Sequence, residues 1–449
     1  MKKIYIKTYG CQMNVYDSER MYELMKPHGY ITTNNYNDAD LVILNTCHIR
    51  EKAAEKIYSE LGRIAPYKLN LGKQGKKLNI VVAGCVAQAE GKEIIKRQPM
   101  VDVVVGPQTY HRLPELLNTV TTSFRKVVDT EFPVENKFDE LKKIRINNNV
   151  VAFLSIQEGC DKFCSFCVVP YTRGAEYSRP VNDIIIEAKN LIKHGAKEIC
   201  LLGQNVNAYH GEHNGKVRSL DKLIKEIANL DGIKRIRYMT SHPEDMCDDL
   251  IKVHGDVEFL MPYLHLPVQS GDDLLLKAMN RKYSVKDYLI IIEKLRSIRT
   301  DIAFSSDFIV GFPGETEQAF KNTIKLVEKV NYAQAYSFKY SRRPGTPGSI
   351  MKGQISEQIK IERLAELQDI LNHQQLEYNR SYIGKSFEVL FERNGRKVNQ
   401  LVGKSPYMQA VHLTEEKCQI GDLIDTKVLT ADKNSLKVES IKSLSGVAN

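Results

Sequence analysis

The first hundred residues repeat one pattern three times, and this repetition limits the fold more than any other feature of the chain. Each copy is a short apolar segment that predicts a β-strand, followed by a cysteine and then by a predicted helix. The predicted strands are Lys3–Ile6, Leu41–Leu44 and Ile80–Ala83, and the cysteines are Cys11, Cys47 and Cys85. The helices predicted after them are Tyr16–His28, Arg50–Ala65 and Val86–Gln98. Strands and helices in alternation predict a doubly wound parallel sheet.

The position of these cysteines predicts that they meet. Ligands of parallel α/β sheets bind beyond the carboxyl ends of the strands, and Cys11, Cys47 and Cys85 each follow a predicted strand. Each thiol would also lie near a helix N-terminus, whose partial positive charge favours the thiolate. The alternative is three unrelated core cysteines, since free Cys is commonly buried. The shared position favours one site, at which three thiolates would bind a 4Fe–4S cluster and leave one iron open.

A second group of three cysteines lies on one predicted loop. Cys160, Cys164 and Cys167 form a Cys-x3-Cys-x2-Cys run directly after the predicted strand Val151–Ile156. Three thiolates this close can bind three corners of a 4Fe–4S cluster, which leaves one iron for an outside ligand. Structural zinc is the alternative, but zinc usually takes four ligands and the nearest downstream histidine is His194. Disulfides are not expected, because the 9 cysteines are an odd number and the chain starts without an apolar signal segment.

From Val151 onward, strands and helices alternate again. The predicted strands are Val151–Ile156, Glu198–Leu202, Arg235–Met239, Glu258–Leu264, Phe304–Val310 and Gln334–Phe338. Six strand–helix units are too few for an eight-stranded barrel. They predict an open (βα)6 partial TIM barrel with its site at the carboxyl ends of the strands.

A long helix is predicted over Ser356–Arg380, and the pattern then changes to short strands separated by turns. These strands predict a small five-stranded β-barrel. They are Phe387–Phe391, Gln400–Lys404, Met408–His412, Leu423–Leu429 and Leu436–Glu439. The expected domains are residues 1–120, 149–378 and 379–445, with residues 121–148 as a linker. The predicted fold class is therefore α/β, with a β-barrel at the C-terminal end.

The charge of the chain permits an anionic partner. The formal net charge is +9, and the residues from Asn379 onward carry 11 Lys and Arg against 8 Asp and Glu. This is weak electrostatic support for RNA, and a mildly basic enzyme without such a partner is the alternative. No run of 18 apolar residues occurs, so no membrane span is expected. The free cysteines favour a reducing cytoplasm.

The spacing of Cys160, Cys164 and Cys167, with Phe166 before the third cysteine, resembles the radical S-adenosylmethionine (SAM) superfamily. The three regions, in this order, resemble the methylthiotransferases of that superfamily over nearly the whole chain. The segments that carry the resemblance are Thr8–Asn14, Asn45–Cys47, Ile49–Ala53, Val169–Gly174, Leu202–Tyr209 and Leu266–Gly271. The chain departs from the family pattern at His48, Ala175 and Tyr177, and none of these is a proposed ligand.

The resemblance implies two 4Fe–4S clusters, an auxiliary one on the first three cysteines and a radical-generating one on the second three. SAM would bind the open iron of the second cluster. The residues implied to contact SAM are Phe166, Gly203, Gln204, Asn205, Ser241, Gln269, Ile309 and Gly311, although each motif alone is also typical of a turn or helix cap. Arg173 and Arg179 are predicted to bind a substrate carboxylate or phosphate, with structural ion pairs as the alternative. The last region resembles the TRAM RNA-binding domain.

The implied reaction replaces the C2 hydrogen of N6-isopentenyladenosine at position 37 of a tRNA with a methylthio group and consumes two SAM molecules. The expected partners are the tRNA anticodon stem-loop and a low-potential electron donor, and we expect a cytoplasmic monomer. Sister enzymes that modify N6-threonylcarbamoyladenosine or a ribosomal-protein aspartate are alternatives, although Gln12 and Met13 after Cys11 favour the first substrate. A two-cluster electron carrier and a zinc-stabilised RNA-binding module are the alternatives from other classes.

Overall fold

The computed structural model describes residues 1–48, 52–133, 136–141, 145, 149–415 and 418–441. The chain divides into two compact units. The first unit comprises Met1–Arg145, Gln157–Phe163 and Cys167–Arg179, and the second comprises Ile146–Ile156, Cys164–Phe166 and Pro180–Asn449. Most of the family-like segment Ile49–Ala53, and the predicted start of a helix at Arg50, lie outside the described residues. In the described part of the chain, no helix has the length and apolar character that a membrane crossing requires.

The first unit is built on a parallel sheet with the predicted doubly wound topology. Its described strands are, in spatial order, Tyr30–Thr32, Lys2–Tyr9, Leu41–Thr46, Asn79–Ala83, Val103–Val105 and Val127–Asp129. The winding reverses between Lys2–Tyr9 and Leu41–Thr46, which pair in parallel up to Tyr9 opposite Thr46. Such a topological switch point is where doubly wound proteins bind ligands. The strand Val127–Asp129 falls in the stretch predicted as a linker.

Burial on both faces explains why these segments form central strands. Leu41–Thr46 is buried along its whole length, as expected for a parallel strand covered by helices on both sides. The described α-helices of this unit are Gln12–Met25, Lys52–Lys73, Cys85–Glu90, Lys92–Arg97, Leu113–Ser123, Lys137–Glu140 and Val169–Arg173. The single helix predicted over Val86–Gln98 is wrong, because the chain leaves helical geometry at Gly91 and forms two short helices instead.

The second unit contains the predicted open partial barrel. Its strands are Val151–Ser155, Glu198–Leu202, Arg235–Met239, Tyr263–His265, Ala303–Val310 and Gln334–Lys339. They form two parallel three-stranded sheets, and an isolated parallel bridge pairs Ile236 of the third strand with Leu260, shortly before the fourth strand. The strand predicted over Glu258–Leu264 is wrong in its bounds, because Pro262 has no N–H to donate to a strand ladder and the strand begins only at Tyr263.

The described α-helices of this unit are Val181–Lys193, Leu220–Ala228, Asp248–Asp256, Asp273–Ala278, Val285–Ile298, Glu317–Val330, Pro347–Ile350 and Glu357–Arg380. All of them except Pro347–Ile350 contribute buried side chains to the apolar core that they share with the strands. Leu264, Leu266 and Phe308 belong to the apolar core under these helices. Because side chains alternate between the faces of a strand, the intervening His265 and Asp307 face the inside of the partial barrel. Two short antiparallel pairs complete the described strands, Gln157–Glu158 with Tyr177–Ser178 in the first unit and His210–His213 with Lys216–Ser219 in the second.

The C-terminal part of the second unit is the predicted small barrel. Its described strands are Ser386–Asn394, Gln400–Lys404, Ala410–Thr414, Leu423–Ala431 and Ser435–Ser440, and they close into a barrel. Val389, Phe391 and Val411 are among the residues of its apolar core. The strand predicted from Met408 begins instead at Ala410, because Met408 lies in a turn with φ +69.

Two buried arginines attach this small barrel to the amino ends of the partial-barrel strands. The Arg237 guanidinium donates to Glu198 Oε1 at 2.9 Å, to the Ser405 carbonyl at 2.8 Å and to the Pro406 carbonyl at 2.8 Å. Arg235 donates to the carbonyls of Lys404 and Glu388 at 2.9 and 2.6 Å. The small barrel is therefore attached at the end of the partial barrel opposite to the carboxyl ends of its strands.

Replacing Arg237 with Ala is expected to lower the free energy of unfolding by about 3–5 kcal/mol, because the Glu198 carboxylate stays buried without its partner. Urea unfolding of the full chain, followed by far-UV circular dichroism, measures this change. The double variant Glu198→Gln/Arg237→Met also removes the Glu198 charge, so it should recover part of the lost free energy of unfolding. Arg393→Ala, at an exposed position, is the control and should change the free energy by less than about 0.5 kcal/mol. An Arg237→Ala effect as small as that of the control would contradict this account of the attachment.

Candidate active site

The structure brings Cys11, Cys47 and Cys85 together at the switch point of the first sheet. Cys11 precedes the helix Gln12–Met25, and Cys85 is the first residue of the helix Cys85–Glu90. Cys47 directly follows the strand Leu41–Thr46, and its backbone N–H donates to the Tyr9 carbonyl at 2.9 Å. The Cys47 thiol lies near enough to both Cys11 and Cys85 to interact with their thiols. Three cysteines separated by 36 and 38 residues in the sequence thus form one group.

Glycines before two of these cysteines allow the close approach. Gly10 has φ +136, and a Cβ added to it would lie 2.4 Å from the Cys47 Cβ. Gly84 has φ +88, and a Cβ added to it would lie 2.4 Å from the Asn45 Oδ1. Only glycine adopts these backbone angles readily and leaves the space that the neighbouring strand end occupies. The backbone conformation at Gly10 and Gly84 therefore determines how closely the loops that carry the thiols approach each other.

A pair of buried amides links two of the thiol-bearing loops. The Cys11 thiol donates to Asn14 Oδ1 at 3.4 Å, and Asn14 Nδ2 donates to Asn45 Oδ1 at 3.2 Å. Asn45 Nδ2 in turn donates to the Asn14 carbonyl at 2.8 Å and to Ser18 Oγ at 2.9 Å. Because Asn45 lies two residues before Cys47, these bonds hold the loop ends of Cys11 and Cys47 beside each other.

The three thiols differ in pKa. Hydrogen bonding from the Cys47 thiol, helped by the positive charge of Arg173, lowers the pKa of Cys11 to about 7 and the pKa of Cys85 to about 6. The pKa of Cys47 itself is raised, because its interactions with the Cys11 and Cys85 thiols favour its protonated form and because it is buried. Two of the three cysteines therefore ionise near neutral pH, and the thiolate is the form that binds iron.

This group fits three corners of a 4Fe–4S cluster. Each thiolate of such a cluster binds a different iron, so the sulfurs need not converge on one point. Among the residues that the structure describes, no group of three or more His, Cys, Asp or Glu side chains is close enough together to bind one metal ion. Three cysteines at one end of the sheet, two of them with a lowered pKa, provide the kind of donor set that a cluster with one open iron requires.

A network of buried charges adjoins the thiols, and the sequence analysis did not predict it. Arg173 donates to Asp17 Oδ2 at 2.6 Å and to Glu158 Oε1 at 2.7 Å. Lys137 Nζ donates to the same Glu158 oxygen at 2.7 Å, and Gln108 Nε2 donates to the Arg173 carbonyl at 2.6 Å. No spacing rule connects these residues, since Asp17 and Arg173 are 156 positions apart.

The two arginines predicted to bind substrate are both buried. The Arg173 guanidinium is engaged by two carboxylates, which fits the structural alternative, and the Arg179 guanidinium lies 4.6 Å from the centre of the Phe138 ring. Arg173 and Arg179 are each only 3% exposed. Their contacts with substrate remain predictions, and this burial gives them no support.

The Cys-x3-Cys-x2-Cys run is held by backbone hydrogen bonds in both units. In the first unit the Cys160 N–H donates to the Gly174 carbonyl at 3.3 Å, and the Val169 N–H donates to Cys167 Sγ at 3.5 Å. In the second unit Cys164 is buried, and the N–H of the next residue, Ser165, donates to the Met279 carbonyl at 3.0 Å. The predicted cluster role of these three cysteines remains a prediction.

The residues implied to contact SAM lie at the carboxyl ends of the partial-barrel strands, apart from Phe166 on the cysteine loop. Those at the strand ends are Gly203, Gln204, Asn205, Ser241, Gln269, Ile309 and Gly311. Asn205 Nδ2 donates to Asp245 Oδ2 at 2.8 Å, and Asn207 exchanges two 2.8 Å hydrogen bonds with the His242 backbone. The loops after the second and third strands are thus linked to each other.

The remaining residues of this set lie around the fifth strand. The Gln269 N–H donates to the Asp307 carbonyl at 2.9 Å, and the Ile309 N–H donates to the Gln269 carbonyl at 3.0 Å. The Gly311 N–H donates to Glu315 Oε2 at 2.6 Å. Phe166 and Ile309 both pack against a small apolar cluster that contains Phe312. The structure therefore gathers Phe166, Gln269, Ile309 and Gly311 into one part of the second unit.

Backbone strain and a buried hydroxyl mark the loop after the third strand. Thr240 has φ +74, a conformation that is an outlier for a β-branched residue and that concentrates at functional sites. Ser241 Oγ is buried and has no hydrogen-bond partner within the described part of the chain. A polar ligand such as SAM would satisfy this hydroxyl, and this fits the role that the resemblance implies for Ser241.

Sequence reasoning missed the polar residues on the inside of the partial barrel. His265 Nδ1 lies 3.0 Å from Ser305 Oγ, and His265 Nε2 lies 3.6 Å from Asp307 Oδ2. The Tyr336 ring packs edge-on to His265 with centroids 6.3 Å apart. The signal that could have found them is the two-residue alternation of their strands, which places these residues opposite the apolar core positions.

Comparisons with known proteins agree with this architecture. Residues 3–106 match the family model described as "Uncharacterized protein family UPF0004". Residues 154–327 match the model of the radical SAM superfamily. Solved structures with the same fold include the radical SAM methyltransferase TsrM from Kitasatospora setae, with a TM-score of 0.56, 12% identity, and coverage of 78% of this chain and 74% of that chain. The radical SAM enzyme OxsB has a TM-score of 0.54 at 11% identity, over 82% of this chain and 56% of its own.

Relatives of similar sequence span nearly the whole chain. The tRNA-2-methylthio-N(6)-dimethylallyladenosine synthase of Wolbachia sp. subsp. Brugia malayi (strain TRS) is 58% identical over 441 residues, which cover 97% of this chain and 98% of the relative. The synthase of the same name from Agrobacterium fabrum is 54% identical over 443 residues, with coverage of 98% and 97%. The resemblance to radical SAM methylthiotransferases is confirmed, and the chain belongs to the family of tRNA-2-methylthio-N(6)-dimethylallyladenosine synthases.

Proposed function

We propose that this chain is the enzyme that converts N6-isopentenyladenosine at position 37 of tRNA to its 2-methylthio derivative, with two SAM molecules consumed per product. The observation that carries the chemistry is the meeting of Cys11, Cys47 and Cys85 at the switch point of the first sheet. The substrate follows from relatives that are 54–58% identical over nearly the full length and bear the synthase name. We propose the tRNA anticodon stem-loop and a low-potential electron donor as partners of a monomeric enzyme.

The chain offers two three-cysteine donor sets for this reaction. Cys11, Cys47 and Cys85 would hold the auxiliary cluster, and Cys160, Cys164 and Cys167 would hold the second cluster. When bound, the clusters and SAM supply methyl transfer to sulfur and removal of the C2 hydrogen. The lowered pKa of Cys11 and Cys85 prepares two thiolates for iron without a further base. Gly10 and Gly84 would let the strand ends approach closely enough to bring these cysteines to one site.

The second unit would bind SAM at the carboxyl ends of its strands. Asn205 and Ser241 lie in loops that the Asn205–Asp245 and Asn207–His242 hydrogen bonds join, so both would be positioned before SAM arrives. The buried Ser241 hydroxyl would gain a partner, and the loss of an unsatisfied polar group favours binding. Holding the reactants in a fixed geometry accounts for a large part of the rate enhancement in such reactions.

The small barrel would contribute to RNA binding. The target adenine lies in a single-stranded anticodon loop, where a base leaves the stack at small cost. The attachment through Arg235 and Arg237 gives this barrel a fixed position on the partial barrel. A stem held by the barrel would therefore present its loop at a defined place relative to the strands of the second unit.

The substrate assignment predicts which modified RNA the enzyme accepts. The reconstituted full chain, with SAM and a low-potential reductant, should convert an anticodon stem-loop that carries N6-isopentenyladenosine, as measured by nucleoside mass spectrometry. The same stem-loop with unmodified adenosine is the control and should give little product. Product on a threonylcarbamoylated loop alone, or on a ribosomal-protein peptide alone, would contradict the proposal.

The two cysteine groups are expected to be separable by mutation. Cys11→Ala should abolish methylthiolation while leaving SAM cleavage, because the second cysteine group stays complete. Cys164→Ala should abolish both activities, measured as 2-methylthio nucleoside and as 5′-deoxyadenosine. The matched control is Cys247→Ala, at an exposed cysteine outside both groups, which should leave both activities unchanged. Catalytic methylthiolation by the Cys11 variant would contradict the role of the first group.

A further inference from the structure

The Arg173 guanidinium occupies an unusual position, because it is buried between two carboxylates on a helix that adjoins one of the cysteines. It donates to Asp17 Oδ2 at 2.6 Å and to Glu158 Oε1 at 2.7 Å. The helix Val169–Arg173 packs against the helix that Cys85 opens, and the positive charge of Arg173 acts on the Cys85 thiol. The side chain therefore places the positive charge of a buried ion-pair network near one of the three sulfurs.

The charges of this network balance before the thiolates are counted. Asp17 and Glu158 provide two negative charges, and Arg173 and Lys137 provide two positive charges, with Lys137 Nζ at 2.7 Å from Glu158 and 3.9 Å from Asp17. The exposed fractions of the four side chains are 0–3%. Thiolates bound to iron add negative charge beside this neutral group, and solvent screens buried charges only weakly. Of the two cations, the guanidinium is the one on the helix that packs against the helix of Cys85.

Lys137 and Gln108 add hydrogen bonds to the ion pairs of Arg173. Glu158 accepts from both Arg173 and Lys137 at its Oε1. The Gln108 side chain bonds the Arg173 carbonyl at 2.6 Å and Glu158 Oε2 at 3.3 Å. Arg173 is thus fixed at its backbone and at both terminal nitrogens. A side chain held in this way keeps its charge at a constant distance from the Cys85 sulfur.

We infer that Arg173 is a positioning residue of the auxiliary cluster site, whose guanidinium, fixed by Asp17 and Glu158, raises the reduction potential of the cluster held by Cys11, Cys47 and Cys85. The inference rests on the cluster assignment of the proposed function. Hydrogen bonds to cluster sulfurs and the net charge around them set the potential of iron–sulfur clusters. Reduction adds one negative charge, so a fixed cation at Cys85 favours the reduced form. Removing the cation lowers the potential, and removing the Asp17 charge raises it.

The test measures the potential of this cluster alone. The full chain with Cys160, Cys164 and Cys167 all changed to Ala retains only the first cysteine group, and it is reconstituted anaerobically with iron and sulfide. Redox titration followed by electron paramagnetic resonance gives the midpoint potential. Arg173→Gln should lower the equilibrium constant for reduction tenfold or more, which is about 59 mV for a one-electron couple. Asp17→Asn should shift the potential in the opposite direction.

Two further variants separate this role from a purely structural one. Asp17→Asn/Arg173→Gln keeps the network charge balanced, so it tests the guanidinium if Arg173→Gln alone fails to fold. If the midpoint potential of this double variant lies below that of Asp17→Asn, the inference is supported. If the two potentials are equal, the inference is overturned. Arg112→Gln is the control in the same unit, where Arg112 pairs with Asp129 at 3.5 Å, and its potential should equal that of the parent. A parent chain that binds no cluster would instead contradict the proposed function.

Discussion

The structure depends on one geometric constraint, the meeting of three thiols where the winding of a parallel sheet reverses. Strand order places the ends of Lys2–Tyr9 and Leu41–Thr46 side by side, and Asn79–Ala83 lies next to them. Each strand end leads into a cysteine, and glycine at positions 10 and 84 lets the loops approach without side-chain overlap. The fold therefore builds the donor set from segments that are far apart in sequence. The auxiliary-cluster chemistry of the proposed reaction requires that this set be complete.

Buried charge is the second determinant of the molecule, and both units use it. In the first unit, Asp17, Glu158, Arg173 and Lys137 neutralise one another beside the thiols. In the second unit, Arg237 pairs with Glu198 and donates to the small barrel. Burial of an ion pair adds little stability compared with apolar packing, but loss of one partner is costly. These networks therefore act mainly by fixing the relative positions of the segments that they connect.

Local pattern in the sequence was sufficient for the sheet, the partial barrel and the meeting of three cysteines. The prediction that cysteines following parallel strands come together was correct for Cys11, Cys47 and Cys85, because the carboxyl ends of parallel strands lie at the same edge of the sheet. Pattern alone failed at Glu258–Leu264, where Pro262 delays the strand, and at Gly91, where one predicted helix divides. Ion pairs were one alternative for Arg173, but its partners Asp17 and Glu158 could not be predicted, because they depend on tertiary packing between residues far apart in the chain. His265 and Asp307 could have been predicted from the alternation of side chains along their strands, but only once it was known which face of those strands lines the inside of the partial barrel.

Mössbauer spectroscopy of 57Fe in the full-length chain that lacks the second cysteine group can show whether Cys11, Cys47 and Cys85 hold a cluster with one open iron. We expect about four iron atoms per chain in a cubane cluster, with one iron spectroscopically distinct because it has no thiolate ligand. Adding Cys47→Ala to this chain should remove the cluster. A single iron with tetrahedral sulfur ligands, or iron retained without Cys47, would contradict the account.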